Sequence, residues 1–331
     1  MRKIRVAQIG TSRYGHGNSI FQAMVNQPDV FEIVGYVMPE NEREKFPKHL
    51  TLFSEYPELT LEQVLHDPTI EAVTVETEEI YLTKYATLAA EHGKHIQMEK
   101  PGGESLADFE RLIETVRRHG KIFHTGYMYR YNPVIMDLLA RVRAGDLGEI
   151  VSVEAQMSGW WGEESTKWLE GLQGGMMFYL GCHLIDLVLL FQGAPERIVS
   201  FNKATRCFDT DAKDLCMAVL EYPHGVSFVK TTQRERGGFL RRRLLVTGTK
   251  GVVDISPLEA SIDYPLQYTE YAECLSEDWN APSPRERHAP HDRFNNLMRA
   301  FAEMVAGERE NPWSYDHELL LYRTIKKCCE S

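Results

Sequence analysis

Three stretches of the chain hold residue types that could do chemistry together. Glu99-Lys100-Pro101 follows the apolar run HIQM without a break. That places it at the carboxyl edge of the sheet, where open α/β folds bind ligands, and the bland alternative is an exposed loop lysine. The second stretch is helical in period: Met177, Leu180, Leu184, Val188 and Phe191 form an apolar stripe, while Tyr179, His183 and Asp186 fall at i, i+4 and i+7 elsewhere. Either that polar face lines a wet pocket with His183 as acid/base, or its members make ordinary buried hydrogen bonds. The third is Gly10-Thr11-Ser12-Arg13-Tyr14-Gly15-His16-Gly17, a version of GxGxxG with Ser12 at the second glycine. Between a strand and a helix, such a turn lets backbone approach a pyrophosphate at the helix N-terminus; a plain tight turn is the competing reading.

The elements around these residues follow from periodicity. IRVAQIG, FEIVGYV, a short HLTLF, IEAVTVE, HIQM and KIFHTGY read as six strands. They alternate with helical patterns at Ser19 to Asn26, Leu61 to Leu65, Tyr85 to His92 and Leu106 to His119, the βαβ signature of a doubly wound parallel sheet. Ser105 is a suitable N-cap for the last of these helices. Beyond Gly126 the rhythm changes. Asn132-Pro133 starts a helix that ends near Gly145, and IVSVEAQM, RIVSFNKAT, LCMAVLEY, VSFVKTTQ, RRLLVTG and GVVDIS then cluster as a largely antiparallel sheet. One long helix, about Gly175 to Phe191, interrupts that sheet, and helices at Asp292 to Val305 and Tyr315 to Cys328 close the chain. The expected domains are residues 1–125 and 126–331, with the C-terminal helices as candidates to pack back on the first.

Composition narrows the field further. The 331 residues suffice for roughly two domains of about 150. At 43% hydrophobic and 26% charged residues, the chain matches a folded protein rather than a disordered one. The 37 basic against 48 acidic residues give a net charge of −11, which argues against nucleic acid and anionic membrane surfaces as partners. All six cysteines lie at or after Cys182 without a CxxC pair, so no metal site and no disulfide framework is expected, and a reducing cytoplasm fits best. The N-terminus lacks an apolar core of signal-peptide length, and the most apolar span, 176–191, contains His183 and Asp186 and is too short to cross a bilayer.

EKP closing a strand, G-Y-x-x-R-Y-N-P after the next one, Gly174-Gly175 separated by seven residues from His183-x-x-Asp186, and V-T-G-T-K-G-V-V-D-I in the second half carry a resemblance over nearly the whole chain. It resembles the Gfo/Idh/MocA family of nicotinamide-dependent oxidoreductases. The resemblance implies an α/β fold, a Rossmann domain followed by a domain with a large open antiparallel sheet. It also implies hydride transfer between a sugar, polyol or sugar derivative and NAD or NADP, and a homodimer or homotetramer built through the open sheet. Lys100 matches the family's catalytic lysine and His183 its histidine, whereas Tyr179 stands where many members have an aspartate and is the candidate third group. The cofactor is expected against Gly10, Thr11, Ser12, Arg13, Tyr14, Gly15, Met38, Thr77, Glu78, Glu99 and Lys100, and the substrate against Lys100, Tyr127, Trp160, Trp161, Tyr179 and His183. Met38 occupies the position where an NAD-preferring member often has an acid, with Glu40 the nearest carboxylate, and Thr77-Glu78-Glu79 replaces a frequent Thr-Pro-Asn. Arg13 and Arg43 could pair a 2′-phosphate, so NADP stays open beside NAD. The arginines of 234–243 read as solvated or subunit-facing, with a substrate-anion site as the alternative. A dinucleotide- or sugar-binding sensor without turnover is the rival to an enzyme on the same fold.

Overall fold

The structure is a computed structural model that describes residues 2–330. The chain divides into two compact units, 1–128 with 294–322 and 129–293 with 323–331.

In the first unit, five strands form a wholly parallel sheet in the order β2-β1-β3-β4-β5: β1 (Ile4–Ile9), β2 (Phe31–Val37), β3 (Ala72–Val75), β4 (His95–Met98) and β5 (Phe123–Thr125). The helices are α1 (Gly17–Val25), α2 (Glu42–Lys45), α3 (Leu61–His66), α4 (Leu82–Glu91) and α5 (Leu106–His119). All four residues of β3 are buried, as a central parallel strand covered on both faces requires. Ser105 caps α5 by accepting a bond from the Asp108 N–H at 3.2 Å, and Gly120 ends that helix in the left-handed conformation. The sheet has five strands where the sequence suggested six. HLTLF lies in a 3-10 helix, Pro47–Phe53. Pro47 presets a helical φ there, and Phe53, the one residue of the run that is buried, packs its ring 4.4 Å from Phe21 and 5.0 Å from Tyr36.

The second unit opens with α6 (Pro133–Ala144), capped by the Asn132 side chain, which accepts the Val134 N–H at 3.0 Å. Its main sheet contains β6 (Ile150–Ser158), β7 (Arg197–Lys203), β8 (Leu215–Tyr222), β9 (Gly225–Thr232), β10 (Arg243–Gly248) and β11 (Gly251–Ile255). Short strands β12 (Ala260–Asp263), β13 (Leu266–Tyr268), β14 (Glu270–Cys274), β15 (Arg285–Arg287) and β16 (His291–Asp292) follow, none of them evident from periodicity. The eight-stranded order is β15-β14-β11-β10-β6-β9-β8-β7, antiparallel throughout except for the β6–β9 pair. Between β6 and β7 lie α7 (Glu163–Glu170) and α8 (Cys182–Gln192). The expected single helix from Gly175 is instead a π-helical turn, Met177–Gly181, leading into α8. Every residue from Met176 to Leu189 is buried, so the two-faced reading gives way to a helix enclosed on all sides. The chain then enters α9 (Asn295–Ala306), which belongs to the first unit, and α10 (Tyr315–Cys329), which contributes to that unit up to Tyr322.

Candidate functional site

In the first unit the turn after β1 is shaped by close approach. Gly10 takes φ +85, and a Cβ there would meet Thr77 at 2.6 Å; one on Gly17 would meet the Thr11 carbonyl oxygen at 2.7 Å. Ser12 adopts the left-handed backbone at φ 53, in place of the glycine of the usual motif, and its hydroxyl compensates by accepting the Gly15 N–H at 2.7 Å. Helix α1 then starts without a side-chain cap and without an acid in its first turn. Its leading N–H groups thus suit an anion, and a dinucleotide pyrophosphate fits this turn. Arg13 is exposed with its guanidinium 5.5 Å over the Phe46 ring, Tyr14 is half-buried beside it in sequence, and Met38 is half-buried just past β2. Arg43 is ion-paired with Glu58.

At the ends of β3 and β4 sits a buried group of ionisable residues that sequence reading only half found. Lys100 is 1% exposed, with Glu99 3.7 Å from its ammonium, and Glu99 in turn lies 3.2 Å from His16 Nδ1. An exposed loop lysine is excluded. Burial works against the Glu99 charge, yet His16 and Lys100 hold its carboxyl below the usual range. Glu76 and Glu79 are buried as well. Burial and the Glu99 charge push Glu76 well up, and burial lifts Glu79 to about 7 against the pull of Lys100. Thr77 lies buried between them in sequence, and the Glu78 carboxylate is 3.4 Å from Lys45. Glu76, Glu79 and His16 had no signal in sequence beyond their acid or imidazole type. Tyr127 is fully buried just after β5.

In the second unit the π turn carries Tyr179 and delivers His183 to the first turn of α8. Tyr179 packs edge-on against two indoles, Trp161 at 5.5 Å and Trp168 at 5.0 Å. Trp160 points elsewhere. It is 40% exposed, with Arg236 stacked over its ring at 4.2 Å and Phe208 at 6.3 Å. His183 is buried, edge-to-face with Tyr129 at 5.5 Å. The Tyr129 hydroxyl donates to Glu259 at 2.6 Å, and Glu259 also accepts from Arg242 and, at 3.0 Å, from Arg293. Burial and the neighbouring Glu259 push the Tyr129 phenol above its ordinary value, so it stays protonated and holds its ring in place. Asp186 does not share a free polar face with His183: Arg130 donates to it from Nε at 3.0 Å and from Nη2 at 2.7 Å, both side chains buried. The arginines of 234–243 are largely committed too, Arg234 to Asp214, Arg241 to Glu235 and Arg243 to Asp254, each at 2.7 Å. Those pairings disfavour the substrate-anion alternative. No cluster of metal-ligating side chains occurs among the described residues.

Residues 4–127 match the family described as an oxidoreductase family with an NAD-binding Rossmann fold, and residues 135–254 match the GFO/IDH/MocA C-terminal domain. D-xylose 1-dehydrogenase (NADP(+)) 2 of Haloferax volcanii is 24% identical over 272 residues, covering 82% of this chain and 80% of that protein. Among solved structures, the aldose-aldose oxidoreductase of Caulobacter crescentus superposes with a TM-score of 0.79 at 19% identity, covering 99% of this chain and 98% of that one. A levoglucosan dehydrogenase in complex with NADH and levoglucosan does so with a TM-score of 0.81 at 15% identity, covering 99% and 96%. With both halves of the chain matched in order, and a glycine turn and buried lysine at the carboxyl ends of its parallel strands, the protein belongs to the Gfo/Idh/MocA family of NAD(P)-dependent oxidoreductases.

Proposed function

We propose that the protein transfers hydride between a CH–OH group of a sugar, polyol or sugar derivative and a nicotinamide dinucleotide. The observation that carries this reading is Lys100, an ammonium 1% exposed at the carboxyl end of a central strand, where open α/β sheets bind ligands. A buried lysine has a desolvation cost that a mere loop position would not require. In this reading the dinucleotide, when bound, takes up or gives back the hydride. His183 removes the hydroxyl proton and returns it in the reverse direction. Lys100 donates a hydrogen bond to the reacting oxygen and stabilises the charge that grows there as C–H cleaves. The backbone from Gly10 to Gly15 holds the pyrophosphate, with Thr77, Glu78 and Glu99 beside the cofactor. Tyr179 and Trp161 supply a hydroxyl and flat faces suited to a sugar ring.

The relatives named for xylose, aldoses and levoglucosan support a carbohydrate substrate. The outward face of the main sheet carries Val199, Phe201, Met217, Val219, Val226 and Phe228, a half-exposed apolar surface suited to pairing copies into a homodimer or homotetramer. All six cysteines are free, which suits a reducing cytoplasm, and no helix among the described residues is long and apolar enough to cross a membrane.

The test is absorbance at 340 nm with NAD(H) and NADP(H) against a panel of aldoses and polyols, for wild type and Lys100→Met. Turnover is expected in wild type. The variant should keep cofactor affinity within about threefold while losing at least about 10²-fold in kcat, because the lysine acts on the reacting oxygen and not on the pyrophosphate. Equal kcat would remove Lys100 from the chemistry. Dinucleotide binding with silence across the panel would favour the sensor.

A further inference from the structure

One buried carboxylate links the turn after β1 to the lysine after β4. His16 stands at the start of α1, where its carbonyl accepts the Ile20 N–H at 2.8 Å but its side chain makes no capping bond to the helix. The imidazole turns instead toward Glu99, with Nδ1 3.2 Å from Oε2, and its ring lies 5.0 Å from that of Phe294. An ionised carboxylate can only accept, so the imidazole N–H is the donor. The other oxygen of Glu99, Oε1, lies 3.7 Å from the Lys100 ammonium. Two glycines close the space around this side chain. A Cβ on Gly126 would meet Oε2 at 3.3 Å, and one on Gly15 would meet the Glu99 Cγ at 3.7 Å, so the carboxylate has little room to swing away. Two further acids, Glu76 and Glu79, are buried in the loop after β3. Burial favours the neutral form of both, whereas Glu99 keeps its charge because His16 and Lys100 face it.

We propose that His16 is a positioning residue for Lys100: acting through Glu99, it fixes the carboxylate against which the ammonium is set and so aims that ammonium at the reacting oxygen. The proposal rests on the part given to Lys100 in hydride transfer and names the two side chains that hold it there. A lysine needs such a hold, because its charge is compact and its stem flexible, so only a fixed counter-charge gives the ammonium one direction. A catalytic group misplaced by about 1 Å can cost on the order of 10²-fold in rate.

The test is steady-state kinetics on the best substrate of the wild-type panel, with calorimetric titration of NADH or NADPH, whichever supports turnover, and melting curves. The proteins are wild type, His16→Phe, His16→Asn and Glu99→Gln. Phenylalanine keeps a ring beside Phe294 and loses the N–H, so kcat should fall by about 10- to 10²-fold while KM and the dinucleotide dissociation constant stay within about threefold. Asparagine places an amide N–H where Nδ1 stands and should recover kcat to within about threefold of wild type. Glu99→Gln keeps the size, removes the charge facing Lys100 and should lose kcat to the same extent as His16→Phe. A wild-type kcat in Glu99→Gln would overturn the proposal even if His16→Phe did not fold. So would a wild-type kcat in His16→Phe, whatever its melting temperature or dinucleotide affinity. Equal losses in His16→Phe and His16→Asn would overturn it too, being the behaviour of a residue that only packs the turn. A wild type that turns over no member of the panel would overturn the oxidoreductase reading itself, and this proposal with it.

Discussion

At the scale of single residues, Tyr179 shows how a departure from a familiar motif acquires a physical meaning. Its ring is clamped edge-on by Trp161 and Trp168, so Tyr179→Phe preserves the packing and removes only the hydroxyl. If that hydroxyl relays a proton beside His183, kcat should fall on the order of 10²-fold while the melting temperature barely moves. An intact kcat and KM with a stability loss of about 1 kcal/mol, that of one hydrogen bond, would leave Tyr179 as packing. Steady-state kinetics and a melting curve on the one variant separate the two outcomes. Ser12 is the complementary case. It departs from the glycine motif, yet its left-handed backbone and its bond to the Gly15 N–H reproduce what the glycine would do.

At the scale of elements, the π turn and α8 act as a rigid carrier for Tyr179 and His183. Asp186 anchors that carrier through Arg130, which follows Tyr129, the residue packed against His183. Both charges are buried, so Arg130→Met should cost about 3–5 kcal/mol by removing the cation that offsets a buried carboxylate. The double variant Arg130→Met/Asp186→Leu should recover much of that loss, because the desolvation penalty then disappears from both sides. Urea denaturation of the two variants checks this, and a single variant as stable as wild type would show the pair to be dispensable. The apolar pattern of 176–191 was legible as a helix. The π turn was not, since one extra residue in a turn leaves the composition unchanged.

At the scale of the whole molecule, the buried carboxylates make stability depend on pH. Glu79 is raised by burial from the usual 4.5 to about 7, so the folded state holds its proton more tightly than the unfolded chain does. The sign follows from linkage. This contribution is fully present below about pH 4.5 and is lost as pH rises through about 7, a change of about 3 kcal/mol. Glu42, also raised to about 7, acts in the same direction, whereas His95, lowered by burial to about 4, stabilises the fold as pH rises over the same window. The clean readout is therefore a difference. From pH 4.5 to 8, unfolding free energies should shift in favour of Glu79→Gln over wild type by up to about 3 kcal/mol. Parallel curves for the two proteins would show that Glu79 does not titrate in this window.

What the sequence by itself determined is whatever depends on neighbours along the chain: the parallel strands, the capped helices at Ser105 and Asn132, the glycine turn after β1, and the places of Lys100 and His183 at element ends. Those features arise from local periodicity and capping chemistry, which a linear reading contains. HLTLF marks its limit, because three alternating residues after Pro47 satisfy a strand pattern and a 3-10 helix equally well. Tertiary structure alone decided which charges meet. Glu42 reaches Thr11 across 31 residues, Arg130 finds Asp186 across 56, and Tyr129 finds Glu259 across 130. Each pairing is chosen by burial, which makes an unpaired charge costly only after the chain has folded around it, so the charge pattern in sequence carries no mark of the partner.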